Sequence, residues 1–316
     1  MIALFDSRRK IISFALTLIT VVIAMVFVSY QVVYKFAFNA DNIYYGRSQA
    51  AVAAEIRYEI MQRPDCEPVT FKNSDDQKLH GFLFKRPAAI GTMLLCHGYK
   101  GSKEFMYGFL DILPDFNLLL FDFRASGESD GSYISMGYHE YKDVFAAAKF
   151  LKSNTPAELP FVILGVSMGG SATLRAASRN PGLADAYIID STFSELRSMF
   201  LSGYSKLIGL PFYPFFPIIK SMFHYIANCD VNEVNSLAAT RMINEPIMFV
   251  HSCDDEFITP DNSVKLYAKA LNESSKVWIG PHARHGFLHT YFPALYNQKV
   301  RRFLRKAINL NIQKAP

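Results

Sequence analysis

Two short segments satisfy G-x-S-x-G, a pattern that can hold a serine up as a nucleophile: "GVSMG" around Ser167 and "GESDG" around Ser129. A serine hydroxyl is a weak nucleophile, so a base must take its proton and a sharp turn must aim its oxygen into a cleft. At a strand-to-helix turn the neighbours two places away crowd the backbone, and glycine is needed at both. The strand-like "FVIL" runs into Gly165, Gly169 follows the serine, and "SATLRAAS" continues as a helix former, so Ser167 has the context the chemistry requires. Ser129 is preceded by "FRAS" and followed by "SYISMG", has neither element, and reads as a loop serine.

The same turn places the backbone N–H of Met168 at a helix N-terminus, where it would face a developing oxyanion. A second donor is expected from the loop in "LLCHGYKGS", at the N–H of Tyr99; His97, beside a loop glycine, reads chiefly as a brace for backbone. For base and acid, "IMFVHSCDDEFITP" puts Asp254 and Asp255 past one apolar run, and "WIGPHARHGFLH" puts His282, His285 and His289 past the next. An acid after one strand and a histidine after the following one can converge on the serine at one sheet edge, the acid fixing the imidazole tautomer. The residues alone leave both choices open. H-x-x-H-x-x-x-H is also a spacing that could hold a metal, but no glutamate of an H-E-x-x-H arrangement accompanies it, and the expectation is neither metal nor cofactor.

These residues need a scaffold. Continuous apolar runs at 92–96, 117–122, 161–165, 186–190, 247–251 and 276–280 alternate with helical stretches such as "YHEYKDVFAAAKFLKS" and "PDNSVKLYAKALN". Runs of that kind are strands buried on both faces, so the spacing predicts an α/β fold with a mostly parallel sheet and helices on both faces. "PVTFK" and "LHGFLFK" ahead of them predict an antiparallel pair. Ligand sites in such sheets form beyond the C-terminal strand ends, where the candidates above lie. From about 194 to 230 the aromatic and proline-rich "FLSGYSKLIGLPFYPFFPIIKSMFHYIA" breaks the rhythm and reads as a short cap insertion, either lining an apolar acyl pocket, resting on a bilayer, or packing as lid core.

Ahead of the domain, Ile11 to Tyr34 runs 24 residues without a charge, about 36 Å as a helix and enough to cross about 30 Å of hydrocarbon. A cleaved signal peptide would have a shorter apolar region, so the reading is a retained transmembrane anchor over 11–38, preceded by a tail over 1–10. Arg8, Arg9 and Lys10 precede it, and the positive-inside bias predicts a cytoplasmic N-terminus with the remaining chain on the opposite side. A helical linker over 39–65 is expected to join it to a single domain over 66–316. The formal charge is +5, most of it around the anchor, so the domain carries too little to imply a nucleic-acid partner. Cys66, Cys96, Cys229 and Cys253 show no C-x-x-C pair, and Cys96 and Cys253 are expected to be buried.

The motifs together resemble the α/β-hydrolase superfamily, in particular its single-pass, membrane-anchored members with short caps, over about residues 66 to 308. "HGYKGS" is similar to the family's oxyanion loop, "FDFRASGESDG" to its D-x-R-G-x-G-x-S loop, and "GVSMGG" to its nucleophile elbow. "VHSCDDEFITP" is similar to the acid loop and "GPHARHGF" to the histidine loop, with Tyr296, Val300 and Phe303 on the closing helix. The resemblance implies Ser167 as nucleophile, Asp255 rather than Asp254 as acid and His285 as base, and assigns Ser129 to a structural loop. Ala125 and Ser252 stand where the family usually has glycine, which puts local backbone geometry in question. It implies a serine hydrolase acting through an acyl-enzyme on lipophilic acyl esters or thioesters. A prolyl-peptidase-like enzyme, a catalytically silent binding module on the same fold, and acyl transfer or cofactor-free peroxidation are the rivals.

Overall fold

The computed structural model describes residues 2–37, 43–44, 47–200 and 211–309. Eight strands form one sheet: β1 (Cys66–Lys72), β2 (Lys78–Phe84), β3 (Gly91–Cys96), β4 (Phe116–Phe121), β5 (Phe161–Val166), β6 (Ala186–Asp190), β7 (Ile247–Ser252) and β8 (Lys276–Gly280). Their order is β1-β2-β4-β3-β5-β6-β7-β8. β2 runs antiparallel to β1 and β4, and every later pairing is parallel. The expected apolar runs map onto β3 to β8 within a residue or so at each end. Strands β3 to β7 are buried along their whole length, whereas the edge strands β1 and β8 keep exposed positions.

Two apolar layers sandwich the sheet. On one side Val144, Ala147 and Leu151 of α3 (Tyr141–Asn154) join Ala172 and Ala176 of α4 (Met168–Arg179). On the other, Tyr296, Val300, Phe303 and Leu304 of α6 (Pro293–Ala307) pack beneath Leu95, Leu164 and Val250. The basic residues of α6 lie largely off this buried face, and Arg301 pairs with Asp115.

The N-terminal segments differ from the reading in detail. Helix α1 spans Ile2–Ala37, because the residues ahead of the apolar run continue the same helix. The apolar core of its stretch Arg8–Lys35 reaches a mean hydropathy of 2.8 over 18 residues, and the stretch is long and apolar enough to cross a membrane. The expected helical linker begins instead with a short antiparallel hairpin, Ile43–Tyr44 against Arg47–Ser48, whose first strand holds β-favouring residues. Helix α2 (Gln49–Met61) follows and stops ahead of Pro64, as that proline requires. Residues 38–42 and 45–46 of this segment lie outside the described residues.

In the insertion, α5 (Phe212–Ala227) is kinked at Tyr213, whose backbone is extended (φ −100°, ψ 136°), and then continues as a helix through Pro217; residues 201–210 lie outside the described residues. Phe216, Ile219 and Phe223 of α5 share an apolar cluster with Val33 and Ala37 near the end of α1. Beside that contact the Ile134 N–H donates to the Ala37 carbonyl at 2.6 Å.

Candidate active site

Ser167 sits between the last residue of β5 and the first of α4, at φ 54° and ψ −117°. An L-residue holds that conformation only when its surroundings fix it. The Ser167 N–H donates to the Asp190 carbonyl at 2.8 Å, and the Thr192 hydroxyl donates to the Ser167 carbonyl at 3.0 Å. The flanking glycines answer to close approach: a Cβ on Gly165 would lie 2.6 Å from the Gly169 carbonyl oxygen, and one on Gly169 would lie 2.3 Å from that of Cys96. The elbow is thus wedged between the end of β3 and the turn after β6.

The Ser167 hydroxyl donates to His285 Nε2 across 2.9 Å, and His285 Nδ1 donates to Asp255 Oδ2 across 2.7 Å. Because a carboxylate only accepts, the second bond fixes the tautomer and leaves Nε2 with its lone pair toward the serine. The other Asp255 oxygen accepts from the N–H groups of Phe257 and Ile258, each at 2.9 Å. Burial by itself would raise the Asp255 pKa, but the bonds from His251 and His285, the His285 charge and the Ile258 N–H outweigh it and hold the carboxyl below its usual range.

The alternatives occupy other places. Asp254 and His282 hydrogen-bond to each other on the surface beside Cys253, which is exposed rather than buried because it has already left β7. The possible ligand atoms of Cys253, Asp254 and His282 lie within 4.8 Å of one another, whereas His285 bonds to Asp255 and Ser167. His289 is buried and stacks on Phe109 with ring centroids 4.1 Å apart. Burial lowers its pKa to about 4 and keeps it neutral. His97 accepts the Phe123 N–H at Nε2 and donates from Nδ1 to the Gly98 carbonyl, a brace as read. Ser129 donates to the Asp122 carbonyl at 2.7 Å and accepts the His80 N–H, which makes it part of a structural loop. In that loop Ala125 takes φ 53°, the left-handed geometry that glycine would accept more readily.

Three residues that hold this arrangement carry no such role in the sequence, where Ser252 stands out only as a replacement for glycine. The His251 ring donates from Nε2 to the Ile258 carbonyl at 2.7 Å and lies 3.1 Å from Asp255 Oδ2. The Ser252 hydroxyl accepts the Ala283 N–H at 2.8 Å and donates to the Pro281 carbonyl at 3.1 Å, so it ties the acid strand to the histidine loop. Asp190, at the end of β6, accepts hydroxyls from Ser191 and Tyr296. The signal available for all three was position at a strand end; what they bond to was not.

Beside Ser167 lies a cavity of about 620 Å³. Its apolar wall comes from Tyr99, Phe105, Met106, Val166, Phe257 and Phe287, and none of its lining comes from α5. Gly98 backs directly onto Ser167, since a Cβ there would touch Ser167 Cβ at 3.4 Å. That contact brings Tyr99 to the serine's rim. Met168 opens α4, where helix geometry gives the first N–H groups no partner within the helix.

The profile of the prolyl oligopeptidase family matches residues 118–311. YqkD of Bacillus subtilis is 29% identical over 218 residues, 67% of this chain and 70% of that one. The yeast membrane protein YNL320W is 23% identical over 226 residues, covering 69% and 73%. Among solved structures, the Pyrococcus furiosus esterase Pf2001 superposes with a TM-score of 0.65 at 24% identity, over 79% of this chain and 93% of the esterase. The Butyrivibrio proteoclasticus protein Est1E, solved with ferulic acid, gives 0.60 at 18% identity, over 76% and 100%.

Proposed function

The chain belongs to the prolyl oligopeptidase family and is a serine hydrolase of α/β-hydrolase fold, and from that premise we propose that it cleaves carboxylic esters or thioesters of lipophilic acyl substrates through Ser167, His285 and Asp255. The observation that carries the reading is the unbroken chain of hydrogen bonds from the Ser167 hydroxyl through His285 to Asp255. In the proposed cycle His285 Nε2 takes the hydroxyl proton as Ser167 Oγ attacks the acyl carbon. The oxyanion is met by the N–H groups of Met168 and Tyr99. His285 then protonates the departing alcohol or thiol, leaving an acyl-enzyme that water, deprotonated by the same imidazole, hydrolyses to the free acid. Asp255 orients the imidazole and stabilises its charged form. The residues form this cycle without a cofactor.

The apolar wall of the cavity favours an acyl chain. Helix α1 would anchor the protein in the bilayer with Arg8, Arg9 and Lys10 on the cytoplasmic side. The family match favours a second reading, peptide-bond cleavage by the same residues. A fluorophosphonate probe tests the nucleophile: wild type and Ser129→Ala are expected to label, Ser167→Ala is not, and an unlabelled wild type would mean a silent binding module. Parallel turnover of acyl esters, acyl thioesters and prolyl peptides by detergent-solubilised protein then chooses the bond, and turnover of the peptides alone would overturn the ester reading.

A further inference from the structure

Lys100 lies on the loop after β3, in the wall of the cavity that holds Ser167, and is only 7% exposed. A buried ammonium is costly unless an opposite charge meets it. Its buried neighbours obey that rule: Lys103 contacts Asp122 at 2.6 Å and Arg124 contacts Asp143 at 2.7 Å. For Lys100, among the described residues, no carboxylate lies within 4.0 Å of Nζ; the ammonium stands 5.5 Å from the centre of the Tyr99 ring.

Two further features add positive potential at this corner. Gln49, the first residue of α2, lines the same cavity and donates its side-chain amide to the Lys100 carbonyl, and the first turn of α2 carries no acidic residue. The positive end of a 13-residue helix therefore lies beside the lysine. Lys35, in the last turn of α1, is the second cation: burial first, and then Lys35, push the Lys100 pKa down. An ammonium destabilised by burial and by a like charge gains strongly from an incoming anion.

We propose that Lys100 and the N-terminus of α2 form a subsite for an anionic group, phosphate or carboxylate, carried by the substrate itself, so that the preferred substrate is an acyl ester with a negatively charged head. The proposal rests on Ser167 as the nucleophile, since the head is held in the cavity where that serine attacks. Lys35 ends the apolar helix, which brings the subsite within reach of a lipid headgroup as well as of a soluble anion.

Two pairs of esters separate these sources: lysophosphatidic acid against the monoacylglycerol of the same chain, and 4-butyryloxybenzoate against phenyl butyrate. For full-length protein in detergent, the anionic-to-neutral ratio of kcat/KM is expected to fall about tenfold in Lys100→Gln and to recover in Lys100→Arg, as loss of one charge-assisted contact implies. A response in the first pair identifies a lipid head, and in the second a soluble anion. A ratio within about twofold of wild type in both pairs overturns the proposal. Calorimetric binding of dodecyl phosphate to Ser167→Ala, with and without Lys100→Gln, gives a readout free of turnover; about tenfold weaker binding in the double variant is expected, and equal binding overturns the subsite. If the nucleophile assignment is what fails, Ser167→Ala still turns over the esters while the binding difference persists.

Discussion

Asp254 and Asp255 are adjacent in sequence, yet their surroundings give them different roles. Asp255 is buried and meets two imidazoles and two N–H groups, while Asp254 is exposed with His282. Replacing Asp255 by Asn leaves the shape but permits the wrong imidazole tautomer, and kcat for ester hydrolysis is expected to fall by about 10³ to 10⁴. Asp254→Asn, measured in the same assay, should stay within a few-fold of wild type, and equal losses would contradict the assignment. His289 yields a pH prediction with a definite sign. Its folded pKa of about 4 lies below the ordinary value of 6.5, so below pH 6.5 the unfolded chain binds a proton that the folded protein refuses. Stability therefore falls as pH drops from about 6.5 to 4, with His289 contributing up to about 3 kcal/mol at the lower end. His289→Phe keeps the stack on Phe109 and should flatten that slope; denaturant titrations at pH 7 and pH 4.5 check it, and parallel wild-type and variant slopes would refute it.

At the scale of elements, His285 and Asp255, the proposed base and its acid, are held on two loops joined through Ser252. Its hydroxyl links β7 to the backbone of Pro281 and Ala283, two to four residues before His285. Ser252→Ala removes those bonds without touching the reacting groups. The expected result is a stability loss of about 1 kcal/mol and a kcat lowered about ten- to hundred-fold by misplacement of His285, with KM nearly unchanged. A variant with wild-type kcat would show that the histidine loop holds itself. The elbow is stiffer. Gly169→Ala drives a Cβ against the Cys96 carbonyl, and since backbone at the end of β3 cannot yield, a loss of about 3 kcal/mol is expected in thermal or denaturant unfolding.

At the scale of the whole molecule, the apolar helix and the cap helix are one structural problem. Most of α1 exposes Ile, Leu, Val and Phe side chains, but Ser29, Val33 and Ala37 near its end are buried, where α1 meets the face of α5 that carries Phe216, Ile219 and Phe223. Exposed apolar surface on that scale is what the proposed anchor would bury in a bilayer, and docking of the last turns on α5 would then hold the rest of the chain against the membrane. Membranes from cells producing the full chain should keep the protein through high-salt and alkaline washes and release it to detergent. Release by salt alone would refute the anchor.

The sequence by itself determined the sheet and most of its strands, because continuous apolar runs of five or six residues bounded by turns have few other homes. It also chose Ser167 over Ser129, since only one serine stands between a strand former and a helix former. The identity of the acid and the base followed from residues alone only as far as two aspartates and three histidines. What brings Ser167, His285 and Asp255 into one line is the turn each loop takes after its strand, and that depends on contacts between segments far apart in the chain, such as Ser252 with Pro281 and Ala283, or Asp190 with Tyr296. The same cause hid Lys100, which meets no carboxylate among the described residues: a lysine's local sequence carries its charge, but only packing decides whether an acid lies opposite it.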